Sequence, residues 1–177
     1  MITAQKIRGR RALATAALAV VALSATSCGA INDQATADKY APSDGVVFTA
    51  GDLEVRNLMI VTNAADEEAR VLGSLVNNGE SNTRVNLNVD GTAVSIAVAG
   101  GSVTKLEDDA NKTIIPSSGE EPGAHTAVKV TVDGESVEQS VPVINGALPE
   151  YRQYLPGGYE DSTVEHLKHE EKEDGGH

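Results

Sequence analysis

An all-β sandwich of the immunoglobulin- or cupredoxin-like antiparallel kind is predicted by three features of this 177-residue sequence. Short runs rich in Val, Ile, Leu and Thr recur between Gly45 and Ile144, with alternating apolar and polar positions. Turn signals separate them: Asp90-Gly91, Gly100-Gly101 and Asp133-Gly134. No stretch in that span has the apolar period of a long helix. Eight or nine short strands over about 100 residues pack most simply as two antiparallel sheets.

Taken in order, Val46 to Thr49 is a short β-prone run, closed by Gly51-Asp52. Leu53 to Thr62 follows, with Leu53, Val55, Met59 and Val61 expected on one alternating face and Asn57 interrupting it. Asn63 to Glu68 is an acidic connection, Arg70 to Val76 the next strand, and Asn77 to Asn82 a turn-rich loop. Val85, Leu87 and Val89 alternate with Arg84, Asn86 and Asn88. Asp90-Gly91 then suits a two-residue hairpin, because both positions tolerate the positive φ of a type I′ turn. Val94, Ile96 and Val98 alternate back, and Gly100-Gly101 turns the chain into Ser102 to Leu106. A three-stranded meander is expected here. Glu107 to Ala124 reads as loop, with Thr113 to Ile115 as a brief edge strand. His125 to Val132, the Asp133-Gly134 turn and Ser136 to Ile144 complete the sheets, and Pro142 points to an edge or a bulge.

The ends of the chain differ in texture from this body. Lys6, Arg8, Arg10 and Arg11 precede an apolar run from Ala12 to Ala25, which small residues and the only cysteine follow, in Ser24-Ala25-Thr26-Ser27-Cys28-Gly29. A basic start, a short apolar run and small residues make an export signal. The run is short for a bilayer span, which takes about 20 apolar residues. The cysteine after small residues resembles a bacterial lipobox, in which the thiol carries a diacylglycerol and becomes the mature N-terminus. Residues 1–27 are thus expected as leader, Cys28 as the lipid anchor on the outer face of the cell membrane, and 28–44 as a flexible tether. The body spans 45–146. The remaining 147–177 hold three of the four tyrosines, Tyr151, Tyr154 and Tyr159, and an acidic tail expected to be disordered from Glu160.

Composition narrows the functions. Removing the leader leaves 150 residues, in which ten basic side chains face 26 acidic ones, a net charge of −16. Such a chain repels phosphates, so nucleic acid is not an expected partner. One cysteine forbids an internal disulfide. No Gly-x-Ser-x-Gly elbow and no phosphate-cradling loop is present, and His125 is the only histidine in the body, so no catalytic residues are expected and no cofactor. A copper site built from thioethers and imidazoles needs several Met and His, whereas the body offers only Met59 and His125. His166 and His169 in the tail, with i, i+3 spacing, are weak metal candidates. Tyrosines give large contact area at low entropic cost, so Tyr151, Tyr154 and Tyr159 are the candidate partner-binding residues.

The lipobox, the polar tether, Leu53-Glu54-Val55-Arg56-Asn57-Leu58-Met59-Ile60, Leu75-Val76-Asn77-Asn78 and the stretch from Val141-Pro142-Val143 to Leu148-Pro149-Glu150-Tyr151 together resemble the actinobacterial LpqE-like lipoproteins. That family is distantly similar to the periplasmic copper chaperones of the PCuAC type. The resemblance implies a β-sandwich without the chaperones' Met/His set. It also implies an accessory, non-catalytic role on the outer-face respiratory supercomplex of cytochrome bc and cytochrome c oxidase. The alternative it leaves open is a copper chaperone or metal-binding module.

Overall fold

The structure, a computed structural model, describes residues 43–167. Its strands are β1 (Val46–Ala50), β2 (Leu53–Val61), β3 (Ala69–Asn77), β4 (Thr83–Val89), β5 (Thr92–Val98), β6 (Val103–Lys105), β7 (Thr113–Ile115), β8 (His125–Val132) and β9 (Glu135–Ile144). One sheet places β2 between β1 and β3, with β6 and β7 on the far side of β3. The other runs β5-β4-β8-β9. The last residues of β9, Val143 and Ile144, leave β8 and pair in parallel with Ile60 and Val61 of β2, which joins the two sheets along one edge. The expected β-sandwich is present.

The core between the sheets is aliphatic, as a chain with no tryptophan and one phenylalanine requires. Val55, Leu58, Ile60, Val71 and Leu75 of one sheet meet Val85, Leu87, Val128, Val130 and Val141 of the other. The Asp90-Gly91 and Asp133-Gly134 turns have positive φ at both residues, as type I′ hairpins need.

Three expectations are corrected. Asn57 takes φ 54°, and the β2–β3 register slips between Arg56 and Met59. This bulge shifts the side-chain phase by one. Leu53 and Val55 therefore share the core with Leu58 and Ile60, while Met59 and Val61 turn to the opposite face. The meander also stops at two strands. After Gly101 the chain crosses to the other sheet, where β6 pairs with β3, since the 99–102 turn is tied to the 79–82 loop instead of to β5. Pro142, by contrast, lies where expected: it is at the last β8–β9 pair, opposite His125, on the outer strand of the second sheet just before β9 joins β2, where a missing N–H costs little. Finally, the acidic tail is ordered further than expected. Asp161–Leu167 forms 3-10 turns, with Val164 buried.

Candidate functional site

The bulge at Asn57 creates the most distinctive region of the molecule. By turning Met59 and Val61 outward, it gives the first sheet an apolar patch on its solvent side, extended by Leu72. The chain returns after β9 to cover this patch. Pro149–Tyr154 forms two short 3-10 turns with proline at the start, where its missing N–H costs nothing. Leu155 then inserts against Met59, Val61 and Leu72, and Tyr151, Tyr154 and Tyr159 pack around it.

Each tyrosine is half-buried and has a fixed partner. The Tyr151 hydroxyl donates to the Asp44 carboxylate, across 107 residues of sequence. Tyr154 receives the guanidinium of Arg70, 5.0 Å above its ring. Tyr159 donates to Asp161 at 2.8 Å and lies under Arg152, whose guanidinium carbon is 3.9 Å from its ring centre. The three candidate tyrosines thus belong to one structural unit, a second small core. Their apolar faces hold the cover down, and part of each remains exposed to solvent.

Arg70 is the residue that sequence reasoning missed. Its position at the start of β3 reads as an ordinary strand end. In the fold it is only 3 % exposed and donates to the carbonyls of Leu106 and Glu107, at 3.3 and 2.7 Å. It links the loop after β6 to the cover through Tyr154. The only available signal is a lone charged residue in a strand that is otherwise mostly apolar.

Burial first, then the Asp44 hydrogen bond and the charges of Asp44 and Glu150, hold the Tyr151 hydroxyl protonated well above the usual phenol range. The folded-state value is raised, so its contribution to stability is complete below the unfolded phenol pKa of about 10 and is lost as pH rises above that. Denaturation midpoints followed into alkali should fall beyond about pH 10, and Tyr151→Phe should flatten that fall.

An apolar pocket of about 240 Å³ opens beside the cover, lined by Pro122, Gly123, Ile144, Asn145, Ala147, Leu148 and Tyr151. Two polar concavities lie elsewhere, one at Asp52, Asn77, Glu80 and Asp133 and one at Gly51, Asp133 and Glu135. Among the described residues no three His, Cys, Asp or Glu side chains are grouped to hold a metal ion. Met59 is fully buried in the second core, and His125 is an exposed residue at the start of β8. The two body donors therefore do not make a copper site. Cys28, His169 and the side chain of His166 lie outside the described residues. No helix among the described residues is long and apolar enough to cross a membrane.

No protein-family model matches the chain, and no curated protein matches it. Among solved structures, the chain is distantly similar to PCuAC domains. The copper-bound PCuAC domain from PmoF2 matches with a TM-score of 0.45 and 11% identity, over 56% of this chain and 98% of that one. The apo PmoF2 domain gives 0.45 and 10%, over 58% and 98%. The apo PCuAC domain from PmoF1 gives 0.43 and 11%, over 56% and 99%. At this identity the likeness concerns the fold alone.

Proposed function

We propose that this protein is a lipid-anchored interaction module, held by Cys28 on the outer face of the cell membrane, that docks on a membrane protein complex. The observation that carries this reading is the second core. A cover of three tyrosines, each fixed by a charged partner, stands beside an open apolar pocket, and no cluster of metal-ligating side chains is assembled among the described residues. Rigid, half-buried tyrosines bind partners at low entropic cost. The LpqE-like resemblance extends the reading to the cytochrome bc–cytochrome c oxidase supercomplex, with this protein as an accessory subunit. Purification of that complex through a tagged oxidase subunit tests it.

A second reading is a periplasmic copper chaperone or other metal-binding module. The similar solved structures are PCuAC domains, one of them copper-bound, and none is described with a respiratory complex, so the comparisons stand nearer to this reading than to the first. Within this chain it rests on the tail histidines His166, His169 and His177. Titration of Cu(I) and Zn(II) into the full chain separates the two. The interaction reading expects no binding tighter than millimolar that is lost on replacing His166 and His169. Micromolar binding that disappears with those histidines would establish the metal reading.

The anchor has its own test. Cys28→Ala cannot form the thioether to a diacylglycerol, so it should be released in soluble form or retained with its leader uncleaved. The sandwich should still fold, since no disulfide depends on this residue. Cleaved Cys28→Ala that stays on membranes through a high-salt wash would refute the lipid anchor.

A further inference from the structure

We infer that the pocket beside Tyr151 is a docking site for a protein segment that presents one apolar side chain flanked by lysine or arginine. This deepens the interaction reading above and rests on it for its biological setting.

The pocket is small for an organic ligand. Its volume of about 240 Å³ falls below the roughly 300–1,000 Å³ of small-molecule sites. Its walls are apolar at Pro122, Ile144, Ala147 and the ring of Tyr151, and Leu148 stands at it 48 % exposed.

The walls are also held in place before any partner arrives. Ile144 is fixed by pairing with Val61. Gly123 donates its N–H to the Val143 carbonyl at 2.8 Å, and Ala147 donates to the Asn145 side chain at 3.0 Å. Tyr151 is pinned by Asp44. Pre-formed walls leave little ordering cost for binding.

The surroundings decide the partner's charge. Asp44 is bonded to Tyr151, Glu150 precedes it in the chain, and Glu121 precedes Pro122; all three acids are exposed. The nearest cation in sequence, Arg152, is occupied: its Nε donates to the Gly146 carbonyl at 2.9 Å and its guanidinium covers Tyr159. One carboxylate bonded to a lining residue and two next to lining residues in the chain attract a segment with cationic flanks, and the net charge of −12 over the whole chain adds to the steering. The same carboxylates repel the phosphates of lipid head groups and nucleic acid, which selects a basic protein segment.

Amide chemical shifts of the full chain in detergent micelles test this. The probe is the pentapeptide Lys-Lys-Leu-Lys-Lys, with Lys-Lys-Ser-Lys-Lys and Glu-Glu-Leu-Glu-Glu as comparisons. The leucine probe should shift Ile144, Ala147, Leu148 and Tyr151 saturably. The serine probe should bind roughly 10- to 100-fold more weakly, the value of burying one leucine. The acidic probe should leave the pocket unchanged. Leu148→Ser and Glu150→Lys, both at exposed positions, should weaken the leucine probe, whereas Val103→Ser on β6 should not. Equal binding of the leucine and serine probes, no shifts at the pocket, or full binding to Leu148→Ser would each overturn the inference. Co-purification keeps the two claims apart. If the parent protein and Leu148→Ser both co-purify fully with the oxidase complex, the pocket falls and the interaction reading stands. If the parent does not co-purify, the respiratory reading falls, and the peptide results alone judge the pocket.

Discussion

Leu87→Ala should lower the stability of the whole domain by about 2–5 kcal/mol. Leu87 is fully buried at the centre of β4, paired with Val94 on one side and Val130 on the other. Strands hydrogen-bonded on both sides cannot close over the vacated space, so the cavity term adds to the lost transfer energy. The expected fall in melting temperature is roughly 10 °C. Leu155→Ala makes the informative comparison. It removes a leucine of similar burial, but from the second core, where it holds the cover and not the two sheets together. Hydrogen exchange should accelerate in 149–159 while β4 and β8 keep their protection. Equal loss of protection in β4 would show that the cover and the sandwich are one cooperative unit.

Gly100→Ala is the second large effect, a loss of about 3 kcal/mol at the upper end of overpacking costs. A Cβ at this position would lie 2.1 Å from the Glu80 carbonyl oxygen and 2.4 Å from its carbon, both backbone atoms. The Glu80 segment has no freedom to withdraw. Gly100 donates its N–H to Asn82 Oδ1 at 3.1 Å, and Gly101 donates to the Gly79 carbonyl at 2.8 Å. Gly101→Ala is the control. Nothing lies within 4 Å of its Cβ position, and only its φ of +63° opposes a side chain. Its cost should be about 1 kcal/mol. Thermal melts of the two variants that coincide would contradict this reading of the turn.

Those two glycines show what the sequence could and could not reveal. Gly100-Gly101 is visible as a turn, because paired glycines between apolar runs permit positive φ. The backbone that crowds Gly100 belongs to a loop some 20 residues earlier, and no local pattern carries that information. The same holds across the fold. Alternation in Val85-Leu87-Val89 and Val128-Val130-Val132 specifies strands directly, since period two is a local property. Pairing partners are not local, which is why β6 was expected beside β5 and lies beside β3. The bulge at Asn57 was readable only as an interruption. Its consequence, the transfer of Met59 and Val61 to an outward patch, follows from phase and emerges once the register with β3 is known.

The candidate site was legible in part. Tyr151, Tyr154 and Tyr159 drew attention by composition, and two readings were open, a partner surface or packing against the sandwich. The fold shows the packing, since the rings cover Met59, Val61 and Leu72, and their half-exposed faces leave the partner surface as the proposal. The partners that fix them, Asp44, Arg70 and Arg152, were not foreseen. Asp44 and Tyr151 are 107 residues apart, and charged residues at strand ends carry no mark of such a role. Met59 and His125, the body donors for a copper site, were expected to be too few, and the fold places one in the second core and the other on the surface.

The measurement that bears most directly on the interaction reading is purification of the respiratory complex through a tagged cytochrome c oxidase subunit, in mild detergent at low salt. The account predicts that this protein is retained in a fixed ratio to the oxidase, that retention falls as salt screens its acidic surface, and that Cys28→Ala reduces it. Complete absence of the protein from the purified complex under those conditions, with the protein present in the starting membranes, would contradict it.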